Sequence, residues 1–244
     1  MCTILLAWRC LDDARYVLAA NRDEMLSRPA APPRRLCASP PIFGGRDLLA
    51  GGTWLAVTAR GRLAAVTNRR GGADEAIRDP RRVSRGTIPL RILRAASTGE
   101  ALARIRPTDH NPFNLLVIDA GAAIAGHGDG QATSIPVVTL APGPHVLCVH
   151  DVDDTSHAKE RRLGERLREV LATRRSAAAV AEGMVEILRS HSSDGAARDA
   201  ACVHGGEYGT VSASLVGLDA AGGLLYRHAQ GRPCSTPFLD VALA

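Results

Sequence analysis

Short apolar runs separated by glycine-rich turns fill the first seventy residues and predict β-strands. The run at residues 3–8 is almost wholly apolar and predicts the first strand. Further strands are predicted at residues 16–20, 53–58 and 63–67. The last two flank Gly61, whose freedom to adopt a positive φ suits a hairpin turn.

The middle of the chain changes to apolar residues at helical spacing. One helix is predicted to start at the N-cap Ser84 and to end by Gly99, and a short second helix covers residues 100–105. Two amphipathic helices follow later in the chain, at residues 158–172 and 177–188.

The remaining segments return to the strand pattern, at residues 113–118, 122–125, 136–140, 145–149, 211–218 and 224–228. Strands and helices therefore follow one another in blocks. This order favours an α+β fold, with two sheets between helical layers in one domain spanning residues 1–244, over a doubly wound parallel sheet.

Composition agrees with an ordinary globular protein, because 45% of the residues are apolar and 23% are charged. No apolar window approaches the length of a membrane span, and no secretory leader is recognisable. We therefore expect a cytoplasmic protein without integral membrane association. Its six cysteines form no CxxC pair and are expected to be reduced thiols.

The formal net charge of +5 rests almost entirely on arginine, since Lys159 is the only lysine. The arginine pairs are scattered and have no interleaved aromatic residues, which is a poor fit to a nucleic-acid surface. We expect no nucleic-acid partner. A local site for an anionic small molecule stays open.

Seven short motifs, in order along the chain, resemble the NRDE family. They are Met1-Cys2-Thr3, Ala20-Asn21-Arg22-Asp23-Glu24, Gly51-Gly52-Thr53-Trp54-Leu55, Val66-Thr67-Asn68, Ser84-Arg85-Gly86, Asn111-Pro112-Phe113-Asn114-Leu115-Leu116 and Tyr208-Gly209-Thr210. That family includes the transport and Golgi organisation proteins of animals. The resemblance implies an association with haem movement or acyl-lipid homeostasis.

The same segments are remotely similar to the cysteine branch of the N-terminal nucleophile (Ntn) hydrolases, such as bile salt hydrolases and penicillin V acylases. That resemblance implies a four-layer αββα sandwich, in which Cys2 matches the nucleophile and Asn68 matches an asparagine of the oxyanion hole. Two positions depart from the pattern: Ala20 stands where the hydrolases carry an arginine, and Val211 stands where the family often carries one.

The matched residues form a chemically coherent set once Met1 is removed. The freed α-amino group of Cys2, with a reference pKa of about 7.7–8.0, would act as the base for its own thiol. Asp23 would orient that amine, and Asn68 would stabilise the oxyanion, which makes Cys2, Asp23 and Asn68 the predicted catalytic residues. The predicted substrate-binding residues are Asn21, Arg22, Trp54 and Arg85.

Each of these residues also has a structural explanation. Cys2 suits a buried position in the first strand, and Arg22 and Asp23 suit an ion pair at a strand end. Asn68 suits a turn before two arginines and two glycines, and Trp54 suits the core.

No metal site is predicted, because the His and Asp residues at 150–157 match no established template and read as a solvated loop. No cofactor is expected, although Cys202 and His204 could ligate haem as a bound ligand. Three functions therefore stay open: an acyl-transferring or amide-hydrolysing enzyme, a non-catalytic haem-trafficking or acyl-lipid-binding protein, and an interaction protein with a vestigial pocket. The sequence leaves the oligomeric state open.

Overall fold

The computed structural model describes residues 2–70, 79–192 and 199–243, which form two compact units. The first unit comprises Met1–Arg28, Ala141–Cys148 and Val152–Ala242, and the second comprises Pro29–Leu140, Val149–Asp151 and Leu243–Ala244. The single domain predicted over residues 1–244 stays a prediction.

The described residues contain two antiparallel sheets and four α-helices, which confirms the α+β class. The strands are β1 (Thr3–Trp8), β2 (Ala14–Met25), β3 (Ala30–Cys37), β4 (Ile42–Asp47), β5 (Leu55–Thr58), β6 (Leu63–Asn68), β7 (Phe113–Ile118), β8 (Ala123–Gly128), β9 (Val137–Thr139), β10 (Gly143–Leu147), β11 (Tyr208–Asp219), β12 (Leu224–Ala229) and β13 (Leu239–Asp240). The helices are α1 (Ile88–Arg94), α2 (Thr98–Arg104), α3 (Ala158–Thr173) and α4 (Ala177–Arg189).

The first unit is built on a six-stranded sheet in the order β10-β1-β2-β11-β12-β13. Helices α3 and α4 place their apolar stripes on this sheet, where Leu167 and Met184 join Leu5, Val17 and Leu215 in one buried cluster. Strand β1 has the bounds predicted for it, and all six of its side chains are buried.

The second unit is built on a seven-stranded sheet in the order β3-β4-β5-β6-β7-β8-β9. Helix α1 packs against β5 and β6, and its residues Ile88 and Ile92 share a buried cluster with Val66 and Leu115. Ser84 does cap a helix, but it caps the 3-10 turn Arg85–Thr87 that precedes α1.

The motif strand β2 is longer than predicted. It continues through the polar residues Asn21, Arg22 and Asp23, all of which are buried. Pairing on both sides explains this, because β1 lies along one edge of β2 and β11 along the other. The polar tetrapeptide is therefore part of a central strand.

Two strands of the second unit, β3 and β4, are absent from the sequence prediction. β3 holds two prolines and two arginines, and it lies at the edge of its sheet with several exposed side chains. β4 contains Gly44, where a Cβ would come within 2.5 Å of the Leu55 carbonyl oxygen. Neither strand shows a plain alternation of apolar and polar residues.

Helices of membrane-spanning length and apolarity do not occur in the described residues.

Candidate active site

Cys2 lies immediately before β1 and is half-buried. Burial raises the pKa of its thiol, and the nearby Asp23 carboxylate adds to the effect. A hydrogen bond from the Asp23 backbone and the charge of Arg22 act in the opposite direction, because both stabilise the thiolate. The structure thus brings Cys2, Arg22 and Asp23 together in the first unit.

Asp23 is 2% exposed, and two side chains of β11 hold its carboxylate and its backbone carbonyl in place. The Thr210 hydroxyl donates a hydrogen bond of 2.6 Å to Asp23 Oδ1, and the Tyr208 hydroxyl donates one of 3.1 Å to the Asp23 carbonyl oxygen. Burial raises the pKa of the Asp23 carboxyl, whereas Lys159 and the Thr210 hydrogen bond lower it. The carboxylate is therefore held in one orientation.

Lys159 is a site residue that the sequence analysis did not select. It lies in the first turn of α3 and is 5% exposed, and its Nζ forms no hydrogen bond within the described part of the chain. Its ammonium lowers the pKa of both the Asp23 carboxyl and the buried Cys148 thiol. The one available signal was that Lys159 is the chain's only lysine.

The Asn21 side chain stabilises the fold by hydrogen bonds to the backbone. Its amide nitrogen donates hydrogen bonds to the carbonyl oxygens of Leu188, at 3.0 Å, and Ala201, at 2.8 Å. Both amide hydrogens are thereby used to tie β2 to the end of α4 and to the following segment. The substrate-binding role predicted for Asn21 stays a prediction, with only Oδ1 available for it.

Asn68 and Arg85 belong to the second unit, as do the residues around them. Asn68 is the last residue of β6, pairs with Phe113 and is half-buried. The Pro112 carbonyl oxygen accepts hydrogen bonds from the Arg69 backbone at 3.2 Å and from Arg85 Nη1 at 2.8 Å. Arg85 is thereby anchored close to the end of β6.

Trp54 is half-buried in the second unit, and its ring lies so close to Gly45 that a Cβ there would come within about 2.5 Å of it. Its carbonyl oxygen accepts a 2.9 Å hydrogen bond from the Val66 amide. This packing explains why residue 45 of β4 is a glycine. The substrate-binding roles of Trp54 and Arg85 and the oxyanion role of Asn68 stay predictions.

Ala20 departs from the hydrolase pattern and Val211 from the family pattern, and the two residues lie on neighbouring strands of the first sheet. Ala20 is buried and pairs with Ile4 and Ser214, and strand alternation places Arg22 on the same face as Ala20. Val211 lies at an irregularity in the pairing of β11 with β2, between Thr210 and Ser212. A bulge of this kind changes which side chain is directed at the neighbouring strand.

Two solved structures resemble this arrangement of strands and helices. An N-acylethanolamine-hydrolyzing acid amidase ortholog from Caenorhabditis elegans superposes with a TM-score of 0.54 at 12% identity, over 87% of this chain and 91% of that one. A variant of the conjugated bile acid hydrolase from Clostridium perfringens superposes with a TM-score of 0.51 at 12% identity, over 99% of this chain and 94% of that one. The fold is therefore of the Ntn-hydrolase type, which confirms the predicted αββα class.

Sequence comparison narrows this class to a family. The profile of Transport and Golgi organisation 2 matches residues 1–227, and the chain belongs to that family. The Bos taurus homolog of Transport and Golgi organization protein 2 is 33% identical over 147 residues, and the Mus musculus homolog is 30% identical over 145 residues. Each match covers 54% of this chain and 50% of the relative, so the chain spans about half the length of these curated relatives.

Proposed function

We propose that this chain is an enzyme that transfers or hydrolyses an amide or thioester acyl group with Cys2 as its nucleophile. One observation carries the proposal: the Asp23 backbone contacts the Cys2 sulphur while the Asp23 carboxylate is buried and fixed by Thr210 at 2.6 Å. An ion pair at a strand end, the alternative explanation of Asp23, would leave its carboxylate exposed and would not need a thiol beside it.

The first step is hydrolysis of the Met1–Cys2 peptide bond, which gives Cys2 a free α-amino group. With a reference pKa of about 7.7–8.0, this amine accepts the thiol proton near neutral pH. The Asp23 carboxylate stabilises and orients the ammonium that forms. Burial raises the pKa of the Cys2 thiol, so the thiolate is a strong nucleophile that requires this adjacent base.

In the acylation step the Cys2 sulphur forms a bond to the acyl carbon, and the carbonyl oxygen becomes an oxyanion. Stabilising that oxyanion is the role that the resemblance to the hydrolases assigns to Asn68. The bond from the acyl carbon to the leaving nitrogen or sulphur then breaks, and the leaving group takes the proton held by the ammonium. Attack by water or by an amine on the thioester releases the acyl group and restores the thiol. Removing one oxyanion donor typically costs about 3–4 kcal/mol of transition-state stabilisation.

Arg22 and Lys159 give the site its positive charge. Arg22 stabilises the thiolate, and its charge would attract an anionic substrate group. The Lys159 ammonium lowers the pKa of Asp23 and so favours the charged carboxylate. Both cations are buried, which makes their fields stronger than they would be in water.

The test is intact-mass analysis of the purified protein before and after incubation with a cysteine-directed acylating probe and a panel of acyl donors. The expected result is loss of Met1 and one acyl adduct that maps to Cys2. Cys2→Ala abolishes the adduct, whereas the exposed control Cys10→Ala keeps it. All samples carry Cys37→Ala, because the lowered pKa of the Cys37 thiol would otherwise let it react with the probe. In that background, a chain that retains Met1, or an adduct that survives in Cys2→Ala, contradicts the proposal.

A second proposal is a non-catalytic protein that binds and moves haem or an acyl lipid. Ala20 and Val211 favour it, because both replace arginines that the resemblance assigns to the hydrolase and family patterns. Titration with haem, followed by the Soret band, separates the two proposals. An unchanged spectrum, or a spectral shift that Cys2→Ala and His204→Ala both leave intact, counts against haem ligation by these residues.

A further inference from the structure

Two cysteines and two histidines of the first unit converge on one point outside the Cys2 site. Cys202 Sγ lies 3.6 Å from Cys234 Sγ and 3.6 Å from His204 Nε2, and His204 Nε2 lies 3.2 Å from Cys234 Sγ. The ligand atoms of His191, Cys202 and His204 all lie within 4.8 Å of one another. Cys202 is fully buried, and all the thiols are free.

These separations match the edges of a tetrahedral metal site. Zinc–sulphur bonds of about 2.3 Å and zinc–nitrogen bonds of about 2.0–2.1 Å place tetrahedral donors about 3.3–3.8 Å apart. The three distances among Cys202, His204 and Cys234 run from 3.2 to 3.6 Å. The His191 ring stands edge-on to the His204 ring at 4.7 Å between centroids, and its donor nitrogen lies within 4.8 Å of the ligand atoms of Cys202 and His204.

The backbone around the cluster holds its segments in place before any ion binds. The Cys202 amide donates a 2.9 Å hydrogen bond to the Ser190 carbonyl oxygen, which fixes the segment after α4. Arg189 Nε donates a 3.0 Å hydrogen bond to the Pro233 carbonyl oxygen, which brings in the segment after β12. Three separate stretches of chain therefore present their donors to one centre.

We propose that Cys202, Cys234, His204 and His191 bind one zinc(II) ion. Two thiolates and two imidazoles are the donor set that this borderline-soft cation takes with tetrahedral geometry. With two anionic sulphurs the loaded site is electrically neutral, which suits the buried position of Cys202. Binding forms two zinc–sulphur bonds and releases the two thiol protons to solvent, with no change of oxidation state.

The ion would tie the end of α4 to the loops before β11 and after β12. The loop before β11 also reaches the Cys2 site, because the Val203 amide donates a 2.8 Å hydrogen bond to the same Thr210 hydroxyl that holds Asp23. The zinc site is nevertheless independent of catalysis, since none of its four donors takes part in the proposed acyl transfer.

Native mass spectrometry and cobalt(II) titration of the full chain, both under reducing conditions, test the site. The expected results are one zinc per chain, and with cobalt the visible absorption of a tetrahedral ion together with a thiolate-to-metal charge-transfer band. Cys234→Ser and His204→Gln should each weaken zinc binding by more than ~100-fold, because loss of a direct ligand costs more than the 10–100-fold typical of residues behind the ligands. The matched controls Cys10→Ser and His157→Gln should bind zinc like the natural chain.

Several outcomes would contradict the proposed zinc site. They are an absence of bound metal, unchanged zinc affinity in Cys234→Ser and His204→Gln, and a Cys202–Cys234 disulfide that persists in the reduced protein. Uptake of haem through these residues in preference to zinc would overturn it as well. Acylation at Cys2 is measured on the same variants, so failure of the zinc site and failure of the proposed enzymatic function give different results.

Discussion

At the scale of single residues, the buried Asp23 carboxyl predicts an unusual dependence of stability on pH. Burial raises the pKa of the Asp23 carboxyl in the folded state, so the folded chain holds the carboxyl proton more tightly than the unfolded chain, whose aspartates titrate at about 3.9. Asp23 therefore stabilises the fold below that value, and this contribution is lost as pH rises through the folded pKa. The free energy of unfolding of Asp23→Asn, minus that of the natural chain, should therefore be larger at pH ~7 than at pH ~4, because the variant has no buried carboxylate to ionise.

Asp129 supplies a control with the opposite sign. Hydrogen bonds of 2.8 Å from the amides of Ala132 and Gln131 lower the pKa of its carboxyl. Its contribution is present above the unfolded pKa and is lost as pH falls through the folded one. Urea unfolding of both variants at the two pH values measures the signs. The interpretation of Asp23 is wrong if Asp23→Asn and Asp129→Asn respond to pH in the same direction.

Two half-buried cysteines are predicted to differ in reactivity. Burial raises the pKa of the Cys2 thiol, whereas a backbone hydrogen bond from Ser39, with help from Arg94, lowers that of Cys37. Because the thiolate is the reactive form, Cys37 should be alkylated by iodoacetamide several-fold faster than Cys2 at pH ~8 in chains that retain Met1. Peptide mapping by mass spectrometry over a time course measures both rates. Equal rates, or faster reaction at Cys2 in those chains, would contradict the effect of burial.

At the scale of helices and strands, two helical glycines are predicted to respond oppositely to alanine. A Cβ at Gly183 in α4 would lie 2.6 Å from Val170 Cγ1 of α3, whereas at Gly164 in α3 it would meet only the end of Arg168, at 3.5 Å. Gly164→Ala should therefore stabilise the fold by about 0.5–1 kcal/mol. Gly183→Ala should destabilise it, because overpacking costs about 1–3 kcal/mol and exceeds the helix-propensity gain.

Thermal unfolding of the two single variants measures both changes in stability, and the double variant shows whether they add. Stabilisation by Gly183→Ala would mean that α3 and α4 are less closely packed than the Val170 contact indicates.

Strands with a continuous apolar run were predicted at their observed bounds, as at β1 and β7, because burial on both faces leaves a clear pattern. The strands β3 and β4 were not predicted, since their prolines, arginines and glycines oppose the usual strand composition. Their pairing depends on β5 and on the close approach of Trp54 to Gly45, and neither contact is encoded locally. Local sequence thus predicts an element only where its own residues determine its burial.

Across the molecule as a whole, some residues of the two candidate sites were predicted from sequence and others were not. Cys2 and Asp23 lie in motifs near the start of the chain and were selected from sequence, and the structure brings them together. Cys202 and His204 are two residues apart and were selected from sequence, but only as possible haem ligands. Lys159, His191 and Cys234 were not selected, because only the folded arrangement brings them to the residues that they approach.

The arrangement of charge over the molecule predicts that its net charge of +5 does not serve nucleic-acid binding. Many arginines are engaged by nearby carboxylates, as in the pairs Arg69–Asp151 at 2.8 Å, Arg81–Asp79 at 2.9 Å and Arg174–Glu186 at 2.7 Å. Each paired guanidinium would have to give up its carboxylate before contacting a phosphate. We expect a dissociation constant above about 10⁻⁴ M for duplex DNA or single-stranded RNA at near-physiological salt, which is the weak end of non-specific binding.

Fluorescence anisotropy with labelled oligonucleotides over a range of salt concentrations measures that affinity. A triple variant, Asp79→Asn, Asp151→Asn and Glu186→Gln, removes three negative charges and raises the formal net charge from +5 to +8, so it frees the paired arginines and serves as the positive control. The triple variant should bind more tightly, with an affinity that falls steeply with salt because phosphate contacts release counterions. Tight, salt-dependent binding by the natural chain would show instead that its arginine pairs form a continuous basic surface.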